Sequence, residues 1–170
     1  NLFYNGSMTK LIGKNYDFSF LNDPRTGFIS VLILVLFILG TITGGYMLFQ
    51  KFLSVVFFQN GLSASQQGNI DKTLSSISRA ASFSEYDVYY RNLSAINIAR
   101  LNPILSQKGV SQDTIKADFQ SESRFAITNA LRARDLDPTN YQNWVALGNA
   151  YETLAPFGVA DAHEEAKKAF

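Results

Sequence analysis

Apolar positions change rhythm along this chain, and the change divides it. From Thr26 to Gln50 about 25 consecutive residues carry no charge, and Phe28 to Leu39 is nearly all Val, Ile, Leu and Phe. As a helix this run is roughly 37 Å long against a hydrocarbon core of roughly 30 Å, which predicts one transmembrane helix over residues 26–50. Further on, apolar residues recur at helical spacing. Trp144, Leu147, Gly148 and Tyr151 stand at i, i+3, i+4 and i+7, on one face of a helix. The segment before it, from Ala126 to Leu136, is closed by Pro138, which cannot continue a helix. The expected fold class is all-α, with residues 1–25 as a juxtamembrane segment, 26–50 in the membrane and 51–170 as paired helices.

Two helices approach closely only where one has almost no side chain. That is the expected role of Gly148 between Trp144 and Tyr151, and of Ala126 and Ala133 on the preceding helix. Weaker copies of the arrangement lie upstream. Phe57, Gly61, Ala64, Ile77 and Ala80 form one, with Gly68-Asn69-Ile70-Asp71 in its turn, and Tyr90, Leu93 and Ser94 begin another. In this second copy Asn102-Pro103 is expected to break the helix, and the polar run Ser106–Ser111 leads to a helix from Phe119 to Asp135. The final copy is widened by the segment from Ala155 to Asp161, after which Ala166 and Phe170 take the apolar positions of its second helix. A loop lengthened in this way costs little closure entropy.

The Trp144, Leu147, Gly148, Tyr151 set with its alanines and Pro138 resembles the tetratricopeptide repeat, whose signature combines these residue types. The resemblance implies an α-solenoid of helical hairpins, each needing a neighbour to cover its apolar face. It also implies a groove lined by the first helices, where a protein or peptide partner is held. On the last copy Gln142, Val145, Asn149 and Glu152 form the stripe turned away from the packing face, and Arg91 and Ile98 are their counterparts one hairpin earlier.

A signal peptide fits the apolar run poorly, because its apolar region would be shorter and end in a small-residue cleavage site, whereas this run continues through Tyr46, Met47, Leu48 and Phe49. A buried core helix fits no better, since a small repeat domain cannot surround it on all sides. Membrane lipid is therefore its expected surroundings. Within it Gly40-x-x-x-Gly44 has the spacing of close helix contact. Lys10, Lys14 and Arg25 precede the run and Lys51 alone follows closely, so the positive-inside rule places the amino-terminal segment in the cytoplasm and the repeats outside. Phe18, Phe20 and Leu21 are candidates for the membrane interface or for a plain juxtamembrane loop.

Composition narrows the chemistry. A net charge of +1 with no basic cluster argues against nucleic acid. The chain has no cysteine and one histidine, so thiolate metal sites, disulfides and His-pair mechanisms are excluded within it. His163 sits in Asp161-Ala-His163-Glu-Glu165, where acids suit a helix amino terminus rather than a metal. Glu164 and Lys168, at i, i+4, are expected to form an exposed pair. The sequences Asn5-Gly-Ser7 and Asn92-Leu-Ser94 match the glycosylation acceptor pattern by short coincidence and receive no role. No metal, cofactor or catalytic residue is expected in this chain.

The order of parts is also similar to the carboxyl-terminal tails of bacterial O-antigen ligase or polymerase-like membrane proteins, where a last membrane helix leads directly into tetratricopeptide repeats. The approach Asp17–Pro24, the run into Phe57-Phe58-Gln59 and the Pro156-Phe157-Gly158-Val159 insertion carry that likeness. It implies a bacterial cytoplasmic membrane with extracytoplasmic repeats, and an enzyme whose catalytic residues lie upstream, none of which maps onto this sequence. Asn1 is not an initiator and Phe170 leaves a repeat unfinished, so a longer protein is expected. The two functional expectations are thus a non-catalytic membrane-anchored scaffold, or the tail of a glycan-assembly enzyme.

Overall fold

A computed structural model describes residues 24–158 and 161–169. Lys10, Lys14, Phe18, Phe20, Leu21, the Asn5 acceptor sequence, Val159 and Phe170 lie outside the described residues. Among those described there are α-helices and one 3-10 turn, and no strand. The helices are α1 (Pro24–Gln66), α2 (Ile70–Phe83), α3 (Asp87–Leu105), α4 (Gln112–Leu136), α5 (Tyr141–Leu154) and α6 (Ala162–Ala169), with the 3-10 turn at Ala155–Phe157. The chain divides into two compact units, Asn1–Tyr46 and Met47–Phe170.

In the first unit, α1 is long and apolar enough to cross a membrane, with a mean hydropathy of 2.4 in its most apolar stretch and no residue of that stretch buried. Large side chains from Phe28 to Phe49 point outward on every side. The hydroxyls of Thr41 and Thr43 are satisfied within the helix, Thr41 donating to the Phe37 carbonyl at 2.8 Å and Thr43 to that of Leu39 at 2.9 Å. Such internal bonding is what an apolar solvent demands. Gly40 and Gly44 leave open space where a side chain would stand.

In the second unit the helices form hairpins that pack against their chain neighbours. The end of α1 pairs with α2 through Gly61, whose missing Cβ would stand 2.5 Å from Ile77 Cγ1. Phe57 stacks on Phe83 at 5.6 Å, and Ser54 Oγ donates to the Ala80 carbonyl at 2.9 Å. Ile77, Ala80, Tyr89 and Leu93 then form a core cluster joining this hairpin to α3. In the second hairpin α3 lies on α4, with Ser94 Oγ donating to the Ala126 carbonyl at 2.8 Å. A second cluster, Ala130, Leu147, Ala150 and Ala169, joins α4 to α5 and α6. Ala126, Ala130 and Ala133 have no exposed surface.

Caps explain the helix boundaries. Asn69 accepts from the Lys72 N–H at 3.0 Å and Ser111 from the Thr114 N–H at 3.2 Å, each satisfying an amide that the helix leaves free. Gly68, at φ +72°, makes the left-handed turn between α1 and α2. The turn is therefore shorter than expected, and Ile70 and Asp71 belong to the first turn of α2.

Three further local expectations need correction. Asn102-Pro103 does not break α3, which continues to Leu105. Pro103 forgoes only the bond to the Ala99 carbonyl, in the final turn, where buried Leu101 and Ile104 hold the chain. α4 begins at Gln112 rather than Phe119, because the Ser111 cap and buried Ile115 define an extra amino-terminal stretch. Glu164 and Lys168 do not pair. Glu164 meets Lys167 at 3.3 Å and Lys168 meets Glu165 at 2.6 Å, both at i, i+3. The widened segment after α5 also has a packing use, since the ring of Phe157 lies 4.8 Å from that of Phe119 on the lengthened α4.

Candidate functional site

The stripe expected on α5 is present as an exposed face. Gln142, Val145, Asn149 and Glu152 are all exposed, while Asn143, Leu147, Gly148, Ala150 and Leu154 are buried on the opposite side. The geometry follows from spacing alone, since i, i+3, i+7 and i+10 repeat along one edge of a helix. Trp144 and Tyr151 flank the buried side, half-buried against the second cluster. The indole Nε1 of Trp144 donates to the Pro138 carbonyl at 2.9 Å, which ties the helix to the turn before it, and Arg134 lies over the ring at 5.5 Å. Ala166 is buried on α6.

Arg91 is not free in a groove, and its side chain is only 17% exposed. Its Nη1 meets Asp87 Oδ2 at 2.7 Å and donates to Asn143 Oδ1 at 2.6 Å. Asp87 Oδ2 also accepts from Asn140 Nδ2 at 2.8 Å and Asn143 Nδ2 at 3.0 Å, and Asn143 donates again to the Asp137 carbonyl at 2.8 Å. One buried amide thereby links the start of α3, the start of α5 and the turn before α5. Burial alone would push the Asp87 carboxyl up, but bonds from Asn143, Asn140 and the Val88 N–H, with the Arg91 charge, outweigh it and hold it below its ordinary value. Ile98 is likewise turned inward, against the second cluster.

The outward residues of α3 that stand beside this lock are Ala95 and Ala99. With Leu62 and Ser65 of α1 they border a cleft of about 220 Å3, floored by the buried Thr73 and Ile77. α1, α2 and α3 thus border a small recess, while the exposed edge of α5 presents amide and carboxylate side chains. Asn140 carried a legible signal for its part, being a capping residue type before an apolar helical run, and it accepts from the Gln142 N–H at 3.1 Å. Asp87 stands i, i+4 from Arg91 on one helix, but Asn143 carried no signal, because only packing brings it to them. A second ion pair, between Glu85 and Arg132, joins the turn after α2 to α4. Tyr90 donates to the same carboxylate at 2.8 Å, and together they hold Glu85 below its ordinary value.

Among the described residues no three of His, Asp and Glu gather as metal ligands, and His163 is exposed. No protein-family model matches the chain, and no curated protein matches it either.

Proposed function

We propose that this chain is a membrane-anchored scaffold of tetratricopeptide-like hairpins, holding a protein or peptide partner against the first helices of those hairpins. The observation that carries the reading is one packing device recurring down the chain. Gly61 faces Ile77, Ser94 bonds to the Ala126 carbonyl, and Gly148 is buried on α5, which packs against α6. Helices packed this way leave their opposite edges for binding, and on α5 that edge is Gln142, Val145, Asn149 and Glu152. Amides at two of these positions suit the N–H and C=O groups of an extended peptide, and the Glu152 carboxylate suits a basic residue beside it.

The same reading places α1 in the bacterial cytoplasmic membrane with the hairpins on the extracytoplasmic side, on the balance of Lys10, Lys14 and Arg25 against Lys51. In it the chain holds and does not catalyse. A photo-crosslinking residue at Val145 is expected to give a discrete protein adduct in native membranes, while one at exposed Lys116 on α4 gives none. The adduct should fade when Gln142, Asn149 and Glu152 are all changed to alanine, with helix content unaltered. Equal adducts from both positions, or an adduct indifferent to the triple change, would refute the groove.

A further inference from the structure

A different part of the second unit has the chemistry of a small-ligand site. Leu74 and Ser78 of α2, Leu93, Asn97 and Arg100 of α3, and Glu122, Phe125 and Asn129 of α4 border a cleft of about 340 Å3. That volume lies at the lower end for small-molecule sites. We propose that it binds one uncharged sugar ring, as a free saccharide or the terminal unit of a glycan.

The first argument is charge. Arg100 meets Glu122 at 3.2 Å on the cleft wall and Asp71 at 3.8 Å, so its charge is already met and an anion gains no free cation there. Arg124 stands 5.8 Å from the Phe125 ring centre, which disfavours a cationic guest on that ring.

The second is the supply of acceptors. Asn97 is 3% exposed and its Nδ2 donates to Glu122 Oε2 at 2.8 Å. A carboxylate can only accept, so this bond fixes which way the amide points. Asn97 Oδ1 then has no donor among the described residues and is itself closed off from solvent, so a hydroxyl reaches it only if the wall gives slightly, and the accessible acceptors are those of Glu122. Oε2 of Glu122 receives the Asn97 bond while Oε1 only faces the Arg100 guanidinium in the ion pair, so both oxygens retain capacity to accept. The wall therefore asks for hydroxyl donors, while Asn129 and Ser78 add groups that donate and accept.

The third is shape. Phe125 is 48% exposed and, with Leu74 and Leu93, offers an apolar surface beside these polar groups. A pyranose has an apolar C–H face and a rim of hydroxyls, which answers both surfaces at once. A peptide would answer the amides but brings N–H and C=O in equal number to a wall that already has acceptors to spare.

The test uses the full chain in amine-oxide micelles, because maltoside detergents would themselves present sugar. Methyl β-D-glucopyranoside, methyl β-D-galactopyranoside and N-acetyl-D-glucosamine are titrated while the side-chain amide resonances of Asn97 and Asn129 are followed by NMR. At least one should shift them saturably, and Phe125→Ala and Asn129→Ala should each weaken binding by about tenfold or more. Both positions are at least partly exposed, and circular dichroism checks that the variants keep their helices. Phe157→Ala, another exposed ring, should bind as the parent does. The proposal fails if none of the three sugars shifts those amides, if both cleft variants bind normally, or if trialanine shifts them and the sugars do not.

Discussion

Replacing Gly61 with alanine sets two known effects against each other at one atom. Alanine is favoured over glycine inside a helix by up to about 1 kcal/mol, so at an open position the change stabilises. At Gly61 the new Cβ would stand 2.5 Å from Ile77 Cγ1, well inside van der Waals contact. Ile77 cannot yield easily, because it is 1% exposed within the first core cluster and β-branching stiffens it at the bond that carries Cγ1. Overpacking of this kind costs roughly 1–3 kcal/mol, so after the helix gain the net effect expected is a destabilisation of up to about 2 kcal/mol. For a unit of this size that lowers Tm by several degrees. The assay is thermal and urea unfolding of the full chain in micelles, followed by circular dichroism, as a double-mutant cycle with Ile77→Ala. Ile77→Ala alone should cost about 2–5 kcal/mol. In that background the obstructing atom is gone, and Gly61→Ala should become neutral or stabilising. A raised Tm for the single variant, or the same loss in both backgrounds, would refute the close approach of α1 and α2.

Ser94→Ala should cost about 1 kcal/mol, since it removes a buried hydrogen bond without adding volume, and Ser94→Val should cost more because that position faces the α4 backbone. Asp87→Asn should destabilise the chain by about 1–3 kcal/mol near neutral pH, by weakening the bonds that join α3 to α5. The Asp87 carboxyl is held below its ordinary value in the folded chain, so its contribution is complete above that value and disappears as pH falls through the folded one. Urea melts at decreasing pH should therefore show parent and variant converging in acid, and a constant gap would contradict the linkage. A cysteine at exposed Ser106 should react with an impermeant thiol reagent before the cytoplasmic membrane is lysed, and labelling only after lysis would reverse the topology.

What the sequence made legible was what depends on near neighbours. The apolar run of α1 is a matter of composition, and the α5 face is a matter of spacing, so Leu147 and Gly148 fell inside and Gln142 and Asn149 outside without knowledge of any other helix. Pro103 misled because a proline ends a helix only where nothing else holds the following turn, and the burial of Ile104 was not visible from local sequence. Arg91 misled for a related reason. Its register put it in line with the groove, but Asp87 one turn before it on α3 and Asn143 across on α5 hold it in place. The cleft of Asn97, Arg100, Glu122 and Phe125 was invisible, since each residue taken alone reads as an ordinary member of a helix.

Packing that reaches only nearby helices also bears on the order in which the chain acquires its shape. Helix contacts run from α2 to α3, α3 to α4, α4 to α5 and α5 to α6, with α3 also touching α5. The bond from Asn143 to Asp87, which closes the lock between hairpins, spans 56 residues. A ribosome adding roughly 5–20 residues per second supplies such a stretch in about 3–11 s. Each hairpin can therefore settle against its predecessor while later ones are still being made. Its apolar face stays uncovered only for that interval, so a pause in synthesis after Asp87 and before Asn143 would prolong the exposure that favours aggregation.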